Sequence, residues 1–162
     1  MKRSFAVLAL LLALTLSPAA RAQVDVQANP NQEQLLASPD ARLAANKRLV
    51  YDFWREVLEA GHMDLAPKYM ADSYIQHNPE VPTGRAAFVD FFTKFSKPKP
   101  IEARIQDPLV SIVAEGDLVV LSFVHKVPDP KDKTKTYTTT WFDMFRVEGG
   151  KIAEHWDCAL KE

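Results

Sequence analysis

Asp143 stands in the middle of the arm T-Y-T-T-T-W-F-D-M-F-R-V, the richest stretch of the chain in β-branched and aromatic residues. An unpaired carboxylate in such a setting costs several kcal/mol. Burial also raises a carboxyl pKa toward the range where it can give and take protons. Side chains alternate along a strand, so Trp141, Asp143 and Phe145 share one face. The following arm, K-I-A-E-H-W-D-C, offers His155 and Asp157 two residues apart. Counted as a three-residue turn, Glu148-Gly149-Gly150 pairs Val147 with Lys151 and sets Asp143 opposite His155 and beside Asp157. A two-residue turn would offer Trp156 instead. The first register groups the polar residues and is the expectation. His125 lies on the Leu121–Phe123–His125 face of the preceding arm and can join them. The chemistry open to this set is proton transfer at an activated carbon, with Asp143 as the shuttle and His125 or His155 polarising an oxygen.

His77, His125 and His155 with Asp143 and Asp157 also supply metal-ligand types, zinc first, but no local spacing such as H-x-x-x-H occurs. The reading therefore carries no metal and no cofactor. Sugar hydrolysis lacks a matched carboxylate pair on the apolar strands.

These residues need a frame. Asp143 and His155 belong to a hairpin over 136–158, and strands are expected over 101–115 and 118–127 before it. Gly116-Asp117 forms a two-residue turn, Pro108 marks a bulge or edge, and residues 129–135 make a charged hairpin loop. Upstream, Ser38-Pro39-Asp40 supplies an N-cap, a proline in the first turn and an early acid. Leu43, Val50, Phe53, Trp54, Val57 and Leu58 then recur at helical spacing until Gly61. A short helix over 64–70 tolerates Pro67 in its first turn, a short strand over 74–79 stops at Pro79, and a third helix covers 85–95. Helices early and a strand meander late give an α+β fold, three helices packed on a curved antiparallel or mixed sheet. A helix cannot fill the whole cone of such a sheet, which leaves an internal apolar pocket.

Lys2 and Arg3, the apolar run from Phe5 to Leu16 and the small-x-small Ala20-Arg21-Ala22 read as a secretory signal peptide over 1–22, too short for a membrane span. The protein is then exported, to periplasm or medium, with a flexible leader over 23–37 and one domain over 38–162. Removing three basic residues and no acidic one takes the formal charge from −1 to −4. Nothing in that balance suits nucleic acid, or a membrane after cleavage. The single cysteine, Cys158, forms no internal disulfide and is expected to pack as a small residue near a strand end. The outer sheet face would carry Phe142, Met144, Ile152 and Trp156, which predicts a homodimer through the sheet.

Five stretches carry a resemblance: Y-I-Q-H-N-P at 74–79, T-G-R-A-A-F-V-D-F-F at 83–92, E-G-D-L-V-V at 115–120, D-M-F-R-V at 143–147 and G-K-I-A-E-H-W-D at 150–157. Together the chain resembles the SnoaL-like branch of the NTF2-like superfamily, nearest the aldol-condensation polyketide cyclases, over about residues 42–158. The resemblance implies that Asp143 is the penultimate-strand acid/base and that His125 accompanies it. In the related ketosteroid isomerases the same position carries a protonated Asp that donates to an oxyanion, again matching Asp143. Their base precedes a proline in the first strand, where this chain has Asn78, which cannot take a proton. Asp157 matches the last-strand carboxylate of the related epoxide hydrolases, whose Arg and second Asp have no counterpart here.

The expectation is an exported, cofactor-independent acid/base enzyme of the cyclase or isomerase kind acting on a small apolar carbonyl compound. Asp143 and His125 are its catalytic residues, and His77, Asn78, His155, Asp157, Trp141, Tyr74 and Trp54 contact the ligand. The competing readings are a secreted small-molecule-binding protein without turnover and a dimerising interaction module.

Overall fold

In the computed structural model, residues 23–161 are described; the signal-peptide expectation falls on residues 1–22 and lies outside them. Five strands form one open mixed sheet, β1 (Met70–Gln76), β2 (Leu109–Glu115), β3 (Leu118–Pro128), β4 (Thr136–Glu148) and β5 (Lys151–Asp157), in the order β1-β5-β4-β3-β2. β1 runs parallel to β5 and every other pair is antiparallel. The helices α1 (Gln32–Leu36), α2 (Ala41–Phe53), α3 (Ala66–Tyr69) and α4 (Arg85–Phe92) complete the α+β fold. None of the described helices is long and apolar enough to cross a membrane.

Asp40, rather than Ser38, caps α2, its Oδ1 accepting from the backbone N–H groups of Arg42 at 2.8 Å and Leu43 at 3.2 Å. Such a cap satisfies donors that the first turn leaves orphaned. From there Val50, Phe53 and Val57 recur at three- and four-residue spacing, and none is more than 1% exposed. The helix then widens into a π-helical turn, Trp54–Glu59, and stops at Gly61. Gly61 has φ 74°, and a Cβ there would lie 2.5 Å from Ser96 Oγ and 2.7 Å from the carbonyl oxygen of Lys97, so only glycine fits. Phe53 meets the rings of Tyr69, Phe88 and Phe145 at centroid distances of 6.0–6.1 Å, tying α2, α3 and α4 to the sheet.

The β4–β5 hairpin differs from the expectation in its turn. Glu148 pairs with Lys151, so the turn has two residues, Gly149 and Gly150, both with positive φ (57° and 72°). That count alone would turn His155 outward. A bulge intervenes: Val147 pairs with Ile152 but Arg146 pairs with Glu154, which leaves Ala153 unmatched. Beyond it Phe145 faces His155, Met144 faces Trp156 and Asp143 faces Asp157. Asp143, His155 and Asp157 share the inner face as expected, but Asp143 stands opposite Asp157, not His155. Ile152, expected on the outer face, is fully buried in the core because the two-residue turn sets it opposite the inward Val147, ahead of the bulge.

Smaller differences follow from proline and from edge contacts. The first strand runs earlier than expected and α4 ends at Phe92. Residues 101–108, between Pro100 and Pro108, are loop and anchor themselves by burying Ile105. Residues 23–37 lie against the domain instead of trailing from it. The Asn29 N–H donates to the carbonyl of Leu109 at 2.8 Å, the Tyr51 hydroxyl donates to Gln32 Oε1 at 2.6 Å, and Leu36 is buried. Cys158 is exposed just past β5, not packed.

Candidate functional site

Between the inner sheet face and the helices lies a cavity of about 260 Å³. Helical residues Phe53, Trp54, Leu58, Phe88 and Phe92 wall one side together with Val81, while Tyr74, Gln76, Asn78, Asp143, Phe145, His155 and Asp157 come from β1, β4, β5 and their ends. The π-helical turn starts at Trp54, whose indole stacks on Phe123 at 4.5 Å and donates through Nε1 to Asp107 Oδ2 at 3.2 Å. Glu59 at the end of the same turn accepts from the backbone N–H groups of Gln106 and Asp107 at 3.0 and 2.6 Å. The wider turn thus lets one helix end line the cavity and clamp the 101–108 loop, a use to which π turns are often put.

The polar groups form a chain across the floor. The Asn78 amide donates to Asp157 Oδ2 at 2.6 Å, and Asp157 Oδ1 accepts from the Ala159 N–H at 2.9 Å. His155 Nδ1 lies 2.9 Å from Gln76 Oε1, and its Nε2 lies 3.1 Å from Asp143 Oδ1. Asp143 is 4% exposed, and its Oδ2 is buried without a hydrogen-bond partner. Trp141, two residues back on the same face, favours the charged form of this carboxyl but makes no hydrogen bond to Oδ2. Burial pushes the Asp143 pKa up and the charge of Asp157 adds to it, while the His155 hydrogen bond pulls it back; the net direction is upward. Burial, reinforced by Asp157 and Asp143, also holds the Tyr74 phenol protonated.

Asp143, His155 and Asp157 each offer a ligand atom within 4.8 Å of the others. Both ring nitrogens of His155 and both oxygens of Asp157 already have protein partners, so the group is a hydrogen-bonded network in which Asp143 Oδ2 is the free member.

Of the residues expected at the site, Asp143, His155, Asp157, Asn78, Tyr74 and Trp54 meet at the cavity. His125 does not. It pairs with Thr139, four positions along β3 from the Leu121–Asp143 pair, or roughly 13 Å at strand rise. Its ring lies 5.4 Å from Trp141, and neither of these two lines the cavity. His77 sits on the other face of the sheet, stacked on Trp156 at 4.8 Å with Nε2 2.7 Å from Glu154. Gln76 was missed. Alternation from the buried Tyr74 would have found it, since Tyr74, Gln76 and Asn78 point inward while Ile75 and His77 point out.

Comparison with known proteins places this geometry. The model of the SnoaL-like domain matches residues 50–155. A solved candidate polyketide cyclase from Acidithiobacillus ferrooxidans is similar at 20% identity and TM-score 0.50, over 75% of this chain and 89% of that one. An NTF2-like protein of unknown function from Mesorhizobium loti is similar at 17% identity and TM-score 0.50, over 74% of this chain and 94% of that one. At these identities the likeness is one of fold. No curated protein matches the sequence.

Proposed function

The chain belongs to the SnoaL-like domain family, and we propose that it is a cofactor-independent acid/base enzyme of the aldol-cyclase or isomerase kind, acting on a small apolar carbonyl compound. The observation that carries this reading is Asp143 Oδ2, a buried oxygen left without a partner on the wall of a cavity otherwise lined largely by aromatic and aliphatic side chains. A desolvated carboxyl with a raised pKa in a cleft is the kind of group that moves protons at carbon. Asp143 takes a proton from the carbon next to the carbonyl: the C–H bond breaks and its electron pair becomes the enolate. In an isomerisation the proton returns to another carbon. In an aldol closure the enolate carbon bonds to a second carbonyl, and the alkoxide formed takes the proton.

Tyr74 supports the developing oxygen charge in this reading. Its hydroxyl accepts from Gln76 Nε2 at 2.9 Å and donates to no described protein acceptor, which leaves the phenolic proton for a ligand oxygen. His125 stands too far from Asp143 for that task, so the polarising role moves to β1.

The test is exchange of α-protons from small cyclic ketones in D2O, followed by NMR. Acceleration by the wild type and its loss in Asp143→Asn support the reading. Tight ligand binding with no exchange would replace the enzyme with a small-molecule-binding protein.

Two further features belong to the proposal. Export rests on the N-terminal pattern, and intact mass of the secreted form should begin at or near Gln23. Pairing of two copies rests on the outer sheet face, where Ile75, Val113 and Phe142 are 40–59% exposed beside Met144 and Trp156. Sedimentation at micromolar concentration should show a dimer.

A further inference from the structure

Gln76 makes four hydrogen-bond contacts at the centre of the polar floor. Its Oε1 lies 3.0 Å from the backbone nitrogens of both His77 and Asn78 and 2.9 Å from His155 Nδ1, while its Nε2 lies 2.9 Å from the Tyr74 hydroxyl. Backbone N–H groups can only donate, so the atom facing two of them is the amide oxygen. Turning the amide over would set its NH2 against both donors. The orientation is therefore fixed by the backbone of β1 itself.

A fixed acceptor leaves His155 one arrangement at Nδ1, which carries hydrogen. Nε2 then faces Asp143 Oδ1 at 3.1 Å, and that contact holds one proton. Either Asp143 is the acid donating to a neutral ring, or it is the carboxylate accepting from an imidazolium.

We propose that Gln76 is a positioning residue that locks His155 in the Nδ1–H tautomer and so makes the Asp143–His155 contact a one-proton pair. The proton can leave Oδ1 for Nε2, breaking O–H and forming N–H with the bonding pair left on the carboxylate, and nothing else need change. Oδ2 then alternates between the carbonyl oxygen of an acid and one end of a carboxylate, with no net charge gained in the cavity. The opposite tautomer would place the ring hydrogen on Nε2 and hold Asp143 as a carboxylate only. The groups facing the pair are Asp157 from β5, Tyr74 and Asn78 from β1 and its end, and the uncharged wall of α2 and α4; among the described residues no lysine or arginine lines the cavity. The catalytic meaning of the lock rests on the acid/base reading above, but the tautomer does not.

The experiment is 15N–1H multiple-bond correlation on the full chain labelled at histidine, across a pH series and without substrate. Ring-nitrogen shifts separate N–H from lone-pair nitrogens, and His155→Gln identifies the His155 signals. In the wild type, Nδ1 should stay protonated throughout, and Nε2 alone should change. Gln76→Leu should mix the tautomers or favour Nε2–H, and Gln76→Glu, which keeps an acceptor, should restore Nδ1–H. A wild-type ring that loses its proton from Nδ1, or a Gln76→Leu protein with the wild-type pattern, overturns the proposal. Should Gln76→Leu fail to fold, the wild-type series and the Gln76→Glu spectrum still decide. Absent turnover, by contrast, would count against the enzyme reading and leave the tautomer standing.

Discussion

Asp143 and Asp157 stand directly opposite each other across the β4–β5 ladder, two carboxyls on the cavity side of one cross-strand pair. Like charges so placed repel. The surroundings divide them: Asp157 has a donor on each oxygen, from Asn78 and from the Ala159 N–H, whereas Asp143 shares only Oδ1 with His155. The charge of Asp157 therefore favours the protonated form of Asp143. One member is anchored by donors on both oxygens and the other is left to exchange a proton.

Asp143→Asn keeps the size and one hydrogen bond to His155 but removes the exchangeable acid. Turnover on a responsive ketone should fall by about 10²–10⁴, the usual worth of general acid/base catalysis, with ligand affinity little changed. Steady-state kinetics beside calorimetric binding would check it, and full activity in the variant would end the assignment.

The same substitution tests the pKa direction. Asp143 has a folded value above its unfolded one, so the stability it contributes is present below the unfolded value and is lost as pH rises through the folded value. Asp143→Asn is free of that loss. The variant should match or exceed the wild type in denaturant melts at about pH 7, and the wild type should regain ground toward about pH 4. A wild type that loses ground to the variant on acidification would contradict the sign.

Neighbouring residues on β1 should behave differently because they face opposite ways. Asn78→Ala frees Asp157 Oδ2 inside the cavity, leaving a polar group short of its partner at about 1–3 kcal/mol, and should change ligand binding and the pH profile of turnover. His77→Ala removes a ring stacked on Trp156 at the outer face and should leave kcat/KM unaltered. Equal effects on turnover would mean that the faces are assigned wrongly.

The docked N-terminal stretch should contribute to stability. Leu36 is 5% exposed in the core cluster, so Leu36→Ala should cost about 2–4 kcal/mol in chemical denaturation. A cost near zero would return residues 23–37 to the status of a free leader.

Local pattern carried the α+β architecture in the sequence. The stripe of Val50, Phe53 and Val57, the glycine turns at 116 and 149–150 and the alternating apolar arms each follow from a period of 3.6 or 2, which neighbouring residues impose by themselves. Asp143 was legible for the same reason, as a carboxylate where a strand should be apolar. Tertiary structure decided what those periods leave open. The Ala153 bulge, invisible to composition, brings Ile152, His155 and Asp157 to one side, because a two-residue turn without it would face His155 outward. The π-helical turn at Trp54 and the tethering of residues 23–37 depend on partners 19 to 115 positions away, Asp107 and Gln106 for the turn and Leu109, Tyr51 and Thr138 for the N-terminal stretch. The parallel pairing of β1 beside β5 set Gln76 against His155, two residues 79 positions apart whose contact no periodicity encodes.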